Sequence, residues 1–375
     1  MHLLLFFIYD YCRQPFGVVF FLLYRPMLEC LSFADVHVHL REPGFTAKET
    51  ILTGTRAAAR GGYTIVCPMP NLNPVPDSPD TLAIEQAAID RDAVVRVLPY
   101  CSITKGRKGL ELVDFAALKG SCCAFSDDGS GVQSEAVMLK AMRAAAGEGV
   151  IIAAHCEDNS LPGTDPRSEW GQIERDLRLC KATGCHYHVC HISTKESVQL
   201  IRDAKARGVN VTCETAPHYL TLCADDVLDE GRFRMNPPLR SAADREALIA
   251  GLADGTIDVI ATDHAPHTAE EKSRGFARSA MGIVGMETAF PVLYTRLVRS
   301  GRISLDRLLE AMSTAPRRIF NLPATPNDKV FIDLDNPFTI DSTTFASMGH
   351  ATPFDGWQVY GKIVKTVLDG TVVYE

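Results

Sequence analysis

The chain has 375 residues, 46% hydrophobic and 22% charged, a composition that supports a sizeable buried core and excludes disordered and collagen-like architectures. Lysine and arginine number 38 against 46 acidic residues, a net charge of −8, and no basic stripe could track a phosphate backbone, so no nucleic-acid partner is expected. Twelve cysteines are too dilute for a disulfide scaffold and sit mostly in apolar runs where reduced thiols pack as small hydrophobes, which points to a cytoplasmic protein.

Residues 1–33 read as an atypical apolar segment. Asp10, Arg13 and Pro15 interrupt its two apolar runs, 3–9 and 16–24, so neither reaches the roughly 20 residues that span a bilayer, and no membrane span is expected. The basic n-region and small-residue cleavage site of a secretion signal are missing as well. From Ala34 onward, short β-branched or apolar runs alternate with segments of helical period. The runs at 33–40, 63–68, 94–103, 122–128, 150–155, 185–191, 209–213 and 257–262 predict eight strands, with helices such as 48–60, 135–146 and 195–207 between them. Gly61-Gly62, Gly149, Gly184 and Gly208 stand where those helices should stop. The alternation predicts an α/β fold, a TIM-like (β/α)8 barrel over 34–322.

Catalytic groups of such a barrel come from the carboxyl ends of its strands. Here those ends are rich in histidine and aspartate: His37-Val38-His39, Ser126-Asp127-Asp128, His155-Cys156-Glu157-Asp158, Cys190-His191 and Thr262-Asp263-His264. Residues i and i+2 of a strand share a face, so His37 and His39 can grip one ion. Buried imidazoles and carboxylates gathered at one rim would each lose hydration without an ion to compensate, so a metal centre is the stronger reading than structural histidines. Four histidines and one bridging carboxylate suit two zinc ions per chain, and Asp263 is placed to move a proton as general base. His186 and His188 fall earlier on their strand and out of phase, and read as structural. His218 could reach the rim but has no evident partner.

The motifs His37-Val38-His39-Leu40-Arg41-Glu42-Pro43-Gly44, Met69-Pro70-Asn71 with Pro74-Val75-Pro76-Asp77, Ser126-Asp127-Asp128-Gly129, Ala154-His155-Cys156-Glu157-Asp158-Asn159, Met235-Asn236-Pro237-Pro238-Leu239-Arg240 and Ala261-Thr262-Asp263-His264-Ala265-Pro266-His267 resemble those of bacterial (type I) dihydroorotases of the amidohydrolase superfamily. The resemblance runs from about Asp35 to the end. It implies a zinc-dependent enzyme that reversibly closes N-carbamoyl-L-aspartate to L-dihydroorotate in pyrimidine synthesis. It also implies that His37, His39 and Asp128 hold one zinc, that Asp128, His155 and His191 hold the other, and that Asp263 is the general base. Asp128 is preferred to Asp127 because the step from it to His155 is the one the family pattern shows. Many relatives bridge the metals with a carboxylated lysine, but the nearest lysine, Lys119, precedes the strand end. A substrate bearing carboxylates needs a planar cation and neutral donors: Arg41 and Asn71 with His267 would clasp the carboxylate, and Asn236, Met281 and Gly282 would contact the ring. Residues 129–133 could form a lid.

The chain departs from the family in three places. Residues 1–33 lack the β-rich opening of relatives, the span between His155 and His191 is short, and 322–330 is abbreviated. The chain ends should therefore form only a remnant of a small satellite β-sheet, with 323–375 its C-terminal part, and strands at 359–367 should lose partners. Family membership further implies a homodimer and association with aspartate transcarbamoylase. Two other readings remain: a hydantoinase or allantoinase, which a bridging lysine would favour, and an inactive dihydroorotase-like scaffold of aspartate transcarbamoylase, which loss of metal ligands would mark.

Overall fold

The computed structural model describes residues 27–323 and 325–375; the apolar runs at 3–9 and 16–24 lie outside the described residues. Strand β1 (Leu28–Leu31) precedes the barrel strands β2 (Phe33–Val38), β3 (Tyr63–Pro68), β4 (Arg96–Val97), β5 (Ile151–Ala154), β6 (His186–Val189), β7 (Val211–Thr215) and β8 (Val259–Ile260). β2, β3 and β4 pair in parallel, and β5 to β8 form a second parallel set. Every residue of β2 and β3 is buried, as expected of parallel strands covered on both faces.

The predicted strand at 122–128 is not a regular strand. Only Phe125 pairs, bridging Cys101 on one side and Ile152 on the other. Cys123 N donates to the carbonyl of Pro99, which has no amide proton to extend the ladder. The Asp127 carboxylate accepts from Ile103 N (2.9 Å) and Thr104 N (3.1 Å), drawing the chain out of register. Phe125 still joins the two parallel sets. A bridge between Val38 and His264 closes the ring, with His39 N donating to His264 O (2.8 Å) and Asp263 N donating to His37 O (3.1 Å). Asp35 ties the same seam from inside, accepting from Thr262 N (3.1 Å) and Thr262 Oγ1 (2.6 Å), while burial pushes its carboxyl up to about 7.

Around the barrel, the hydroxyls of Thr50, Ser78, Ser134 and Thr194 accept from the first-turn amides of the helices Ile51–Arg60, Pro79–Asp92, Glu135–Glu148 and Lys195–Ala206. Gly149 and Gly184 end their helices in the left-handed conformation, where a side chain would be strained. No described helix is long and apolar enough to cross a membrane.

Beyond the barrel, β9 (Lys329–Asp333) is followed by the paired β10 (Phe338–Thr339) and β11 (Gln358–Val359), then by β12 (Lys362–Leu368) and β13 (Thr371–Tyr374). The order β1-β9-β12-β13 makes an antiparallel sheet from both ends of the described chain. The expectation of lost partners at 359–367 fails, because β12 lies between β9 and β13 and β11 pairs with β10. Buried Arg317 fastens this sheet to the barrel by donating from Nη1 to Ser32 O (2.7 Å) and from Nη2 to Ser32 Oγ (3.0 Å).

Candidate active site

The ring closure brings His37, His39, Asp128, His155, His191 and Asp263 to one cluster at the carboxyl end of the barrel, all of them buried. His37 Nε2 lies 3.4 Å from Asp128 Oδ1 and 3.6 Å from Asp263 Oδ1. His39 Nε2 lies 3.1 Å from Asp263 Oδ1 and 3.7 Å from Asp128 Oδ2. Across the cluster, His155 Nδ1 and His191 Nε2 lie 3.9 and 3.7 Å from Asp128 Oδ1. Asp128 is therefore central to all four imidazoles, whereas Asp127, its neighbour on the opposite face, is occupied with the backbone at 103–104.

The far nitrogens of three imidazoles determine what this geometry can hold. His37 Nδ1 donates to Glu214 Oε1 (2.6 Å), His39 Nδ1 to Asn71 Oδ1 (2.8 Å) and His155 Nε2 to Glu157 Oε2 (3.0 Å). In the neutral ring each inward nitrogen then presents a lone pair to carboxylate oxygens or to another imidazole, and His37 Nε2 is buried with no hydrogen-bond partner among the described residues. Acceptors facing acceptors repel unless a proton or a cation lies between them. In the protein alone the burden falls on protons: burial opposes a charge on His37, yet Glu214 and Asp128 hold its pKa well above the ordinary value. Burial likewise opposes ionisation of Asp128 and Asp263, but the surrounding histidines keep both below the usual carboxylate range. Donor type, burial and spacing fit a cation: His37, His39 and Asp263 form one group of converging ligand atoms, and His37, Asp128 and His191 another.

Three residues of this rim, Arg41 (φ 62°), His191 (φ 33°) and Asp263 (φ 49°), adopt a left-handed backbone that side chains rarely take. Such strain persists where surrounding bonds fix it, and here it turns each side chain toward the mouth.

A cavity of about 240 Å³ opens above the cluster and is lined by His39, Arg41, Asn71, Asp128, His155, His191, Asn236, Asp263, His267, Met281 and Gly282 among others. Every sequence-predicted site residue except His37, which lies beneath its floor, thus borders one space. Arg41 Nε donates to Pro266 O (3.2 Å) and its Nη2 lies 3.4 Å from His267 Nε2. Burial, with the charges of Arg41 and Lys48, lowers the His267 pKa to about 4, so this imidazole is neutral at pH 7. Asn236 Nδ2 donates to Glu157 Oε2 (2.8 Å). At Gly282 (φ 135°) a Cβ would lie 2.7 Å from Ala265 O, so only glycine fits.

Sequence reasoning missed the supporting carboxylates. Glu214 on β7 holds His37 through one oxygen and His188 Nε2 (3.2 Å) through the other, so His188 braces the ligand shell from behind. Its signal was a lone carboxylate directly after the apolar run 209–213. Glu157, two residues beyond His155, holds that ring and Asn236 together. His218 is buried, its Nε2 has no partner among the described residues, and burial lowers its pKa to about 4. Lys119 is far from bridging anything: it caps the helix Phe115–Leu118 and pairs with Glu148 (2.8 Å). In the stretch 129–133, expected as a lid, the last two carbonyls accept from Arg175: Val132 O (2.8 Å) and Gln133 O (2.7 Å).

A closed parallel barrel with histidines and carboxylates converging at its carboxyl mouth defines an amidohydrolase-type hydrolase. The L-hydantoinase (dihydropyrimidinase) of Arthrobacter aurescens superposes with a TM-score of 0.83 at 26% identity, over 93% of this chain and 86% of that one. Residues 28–197 match the family described as dihydro-orotase-like. The dihydroorotase of Lactiplantibacillus plantarum is 50% identical over 92% of this chain and 86% of its own, and that of Geobacillus thermodenitrificans 52% over 91% and 86%. The chain belongs to the dihydroorotase family.

Proposed function

We propose that this protein catalyses the reversible ring closure of N-carbamoyl-L-aspartate to L-dihydroorotate, a step of pyrimidine (UMP) synthesis, with two zinc ions per chain held by His37, His39, Asp128, His155 and His191. The observation that carries this reading is the single cavity in which Arg41, Asn71 and His267 stand beside the histidine–aspartate cluster, in a chain half identical to dihydroorotases over nearly its whole length. When bound, such cations lower the pKa of a water to about 7 and polarise the carbonyl under attack.

The chain's own residues do the rest. Arg41 supplies a fixed charge for a carboxylate, and Asn71 supplies an amide whose orientation is set by its bonds to His39 and Asp128. Asp263, ionised and lining the cavity, takes a proton from water in the hydrolytic direction and delivers it to the departing ring nitrogen; in ring closure the same oxygen removes that proton. Asn236, Met281 and Gly282 form the wall against which the ring lies.

The structural likeness to a hydantoinase supports a second cyclic amide as substrate, but an aspartate stands at the centre of this cluster, and Lys119 is engaged elsewhere. Turnover of dihydroorotate, hydantoin, allantoin and dihydrouracil by the purified protein decides the matter. Dihydroorotate alone should react; bound metal with no turnover of any would support the scaffold reading. We further read residues 34–322 as the catalytic barrel and β1 with 323–375 as the remnant satellite sheet. The eleven described cysteines, all free thiols, suit a reducing cytoplasm. A homodimer and association with aspartate transcarbamoylase are the expected assemblies, for sedimentation to test.

A further inference from the structure

Lys272 ends the short helix Ala269–Lys272, and its side chain is buried beneath the cavity wall. A buried ammonium loses its hydration and is unfavourable unless its protons are taken up. Here all three are: Nζ donates to Arg234 O (3.1 Å), Ala280 O (2.8 Å) and Gly282 O (2.6 Å). Burial and the Arg234 charge lower the amine's pKa to about 8, so it is still charged at pH 7. With no proton left over, Lys272 has none to offer a substrate.

The three carbonyls lie on two segments that border the cavity. Met281 and Gly282 line it directly, and Arg234 precedes Asn236, another lining residue, by two positions. The excursion between Lys272 and Gly282 has little regular structure of its own. It is fixed instead by charged and polar donors aimed at its carbonyls: Arg234 Nη1 donates to Phe276 O (3.0 Å) and Ala277 O (2.7 Å), His267 Nε2 to Met281 O (2.8 Å), and Lys272 to the carbonyls on either side of Met281. Gly282 N donates to the same Arg234 carbonyl that Lys272 holds (3.0 Å).

We infer that Lys272 is a positioning residue for substrate binding: by holding the carbonyls of Arg234, Ala280 and Gly282 around one ammonium, it sets the wall against which the cyclic amide rests. The inference rests on the reading of the cavity as a dihydroorotate site, and its test separates the two. K272M removes all three donors while keeping the length of the chain; K272R keeps the charge, but a planar guanidinium cannot meet three convergent carbonyls as an ammonium does. Steady-state kinetics of dihydroorotate hydrolysis should show KM raised about tenfold or more in K272M, with kcat changed far less, unaltered bound metal, and K272R between K272M and the parent. An unchanged KM, or a fall in kcat alone, overturns the inference.

Tryptic cleavage after Arg274 and Arg278, followed by mass spectrometry, supplies a measurement independent of turnover. Cleavage should be at least tenfold faster in K272M than in the parent, and added dihydroorotate should slow it. Equal cleavage rates would show that Lys272 does not hold the segment. Should the parent protein fail to hydrolyse dihydroorotate, the functional reading fails while the cleavage comparison still decides the role of Lys272; should K272M not fold, the same comparison is made with K272R.

Discussion

Nδ1 of His155 lies 3.0 Å from Nε2 of His191, although the other nitrogen of His155 is already engaged by Glu157. Two imidazole nitrogens at that separation, both within 4 Å of one Asp128 oxygen, need a proton or a cation between them. His37 and His39 stand in the same relation to Asp128 and Asp263 on the other side. Asp128 thus stands within 4 Å of all four imidazoles, as a carboxylate bridging two cations would.

Removing that shared carboxylate should disable both halves together. On the proposed two-zinc reading, bound zinc measured by elemental analysis should fall in D128N from two per chain toward none, and affinity in a chelator competition should drop by more than the roughly 10–100-fold typical of an outer-shell partner. H191A should spare the half-site formed by His37 and His39 and retain about one ion. Two tightly bound ions in D128N would remove Asp128 from the centre of the site.

The carboxylate behind His37 gives a milder prediction. E214Q leaves His37 in place but weakens the bond that fixes its tautomer, so zinc affinity should fall about 10–100-fold with the fold intact. Circular dichroism should be unchanged, and excess zinc should restore activity. Loss of secondary structure in E214Q would mean that the carboxylate serves the barrel core instead.

The contrast between His37 and Glu214 shows what a sequence makes legible. Spacing by two on a strand, and the rule that barrel chemistry sits at strand ends, are local signals, and they brought six scattered residues to one rim. Glu214 lies within a strand, where the same alternation gives only "inward", and its role exists only because ring closure leaves β8 alone between β7 and β2, which brings the inward side chains of the two strands within reach. The strand expected at 122–128 failed for a related reason: its apolar pattern is a strand pattern, but the donors it needs are missing on a neighbour that contributes Pro99. Lys272 was hidden because its partners are backbone carbonyls, which leave no trace in residue type.

Arg41 offers a test of substrate orientation. Its backbone is held in the left-handed region and its Nε is tied to Pro266 O, so the guanidinium is aimed rather than free. R41K keeps the charge but loses the planar fork, so KM for dihydroorotate should rise about 10–100-fold, the cost of a charge-assisted hydrogen bond, with kcat much less affected. A KM within twofold of the parent would exclude Arg41 from the carboxylate site.

Glu85 on the helix Pro79–Asp92 does not line the cavity; it is 1% exposed, and neither of its carboxylate oxygens has a hydrogen-bond partner among the described residues. Burial raises its pKa well above the ordinary value, with no opposing charge. The sign of the consequence follows directly. Below the unfolded pKa both states are protonated and the group contributes no pH dependence. As pH rises past it, the unfolded chain ionises while the folded one stays neutral, so stability falls by up to about 1.4 kcal/mol per pH unit until the folded pKa is reached. E85M fills the same volume without the carboxyl and should stabilise the protein by about 1–3 kcal/mol at pH 7, the cost of an unsatisfied buried polar group. Urea unfolding at a series of pH values should show the gap between E85M and the parent widening from pH 4 to pH 8. A gap that stays constant over that range, or an E85M protein less stable than the parent, would mean that Glu85 finds a partner in solution.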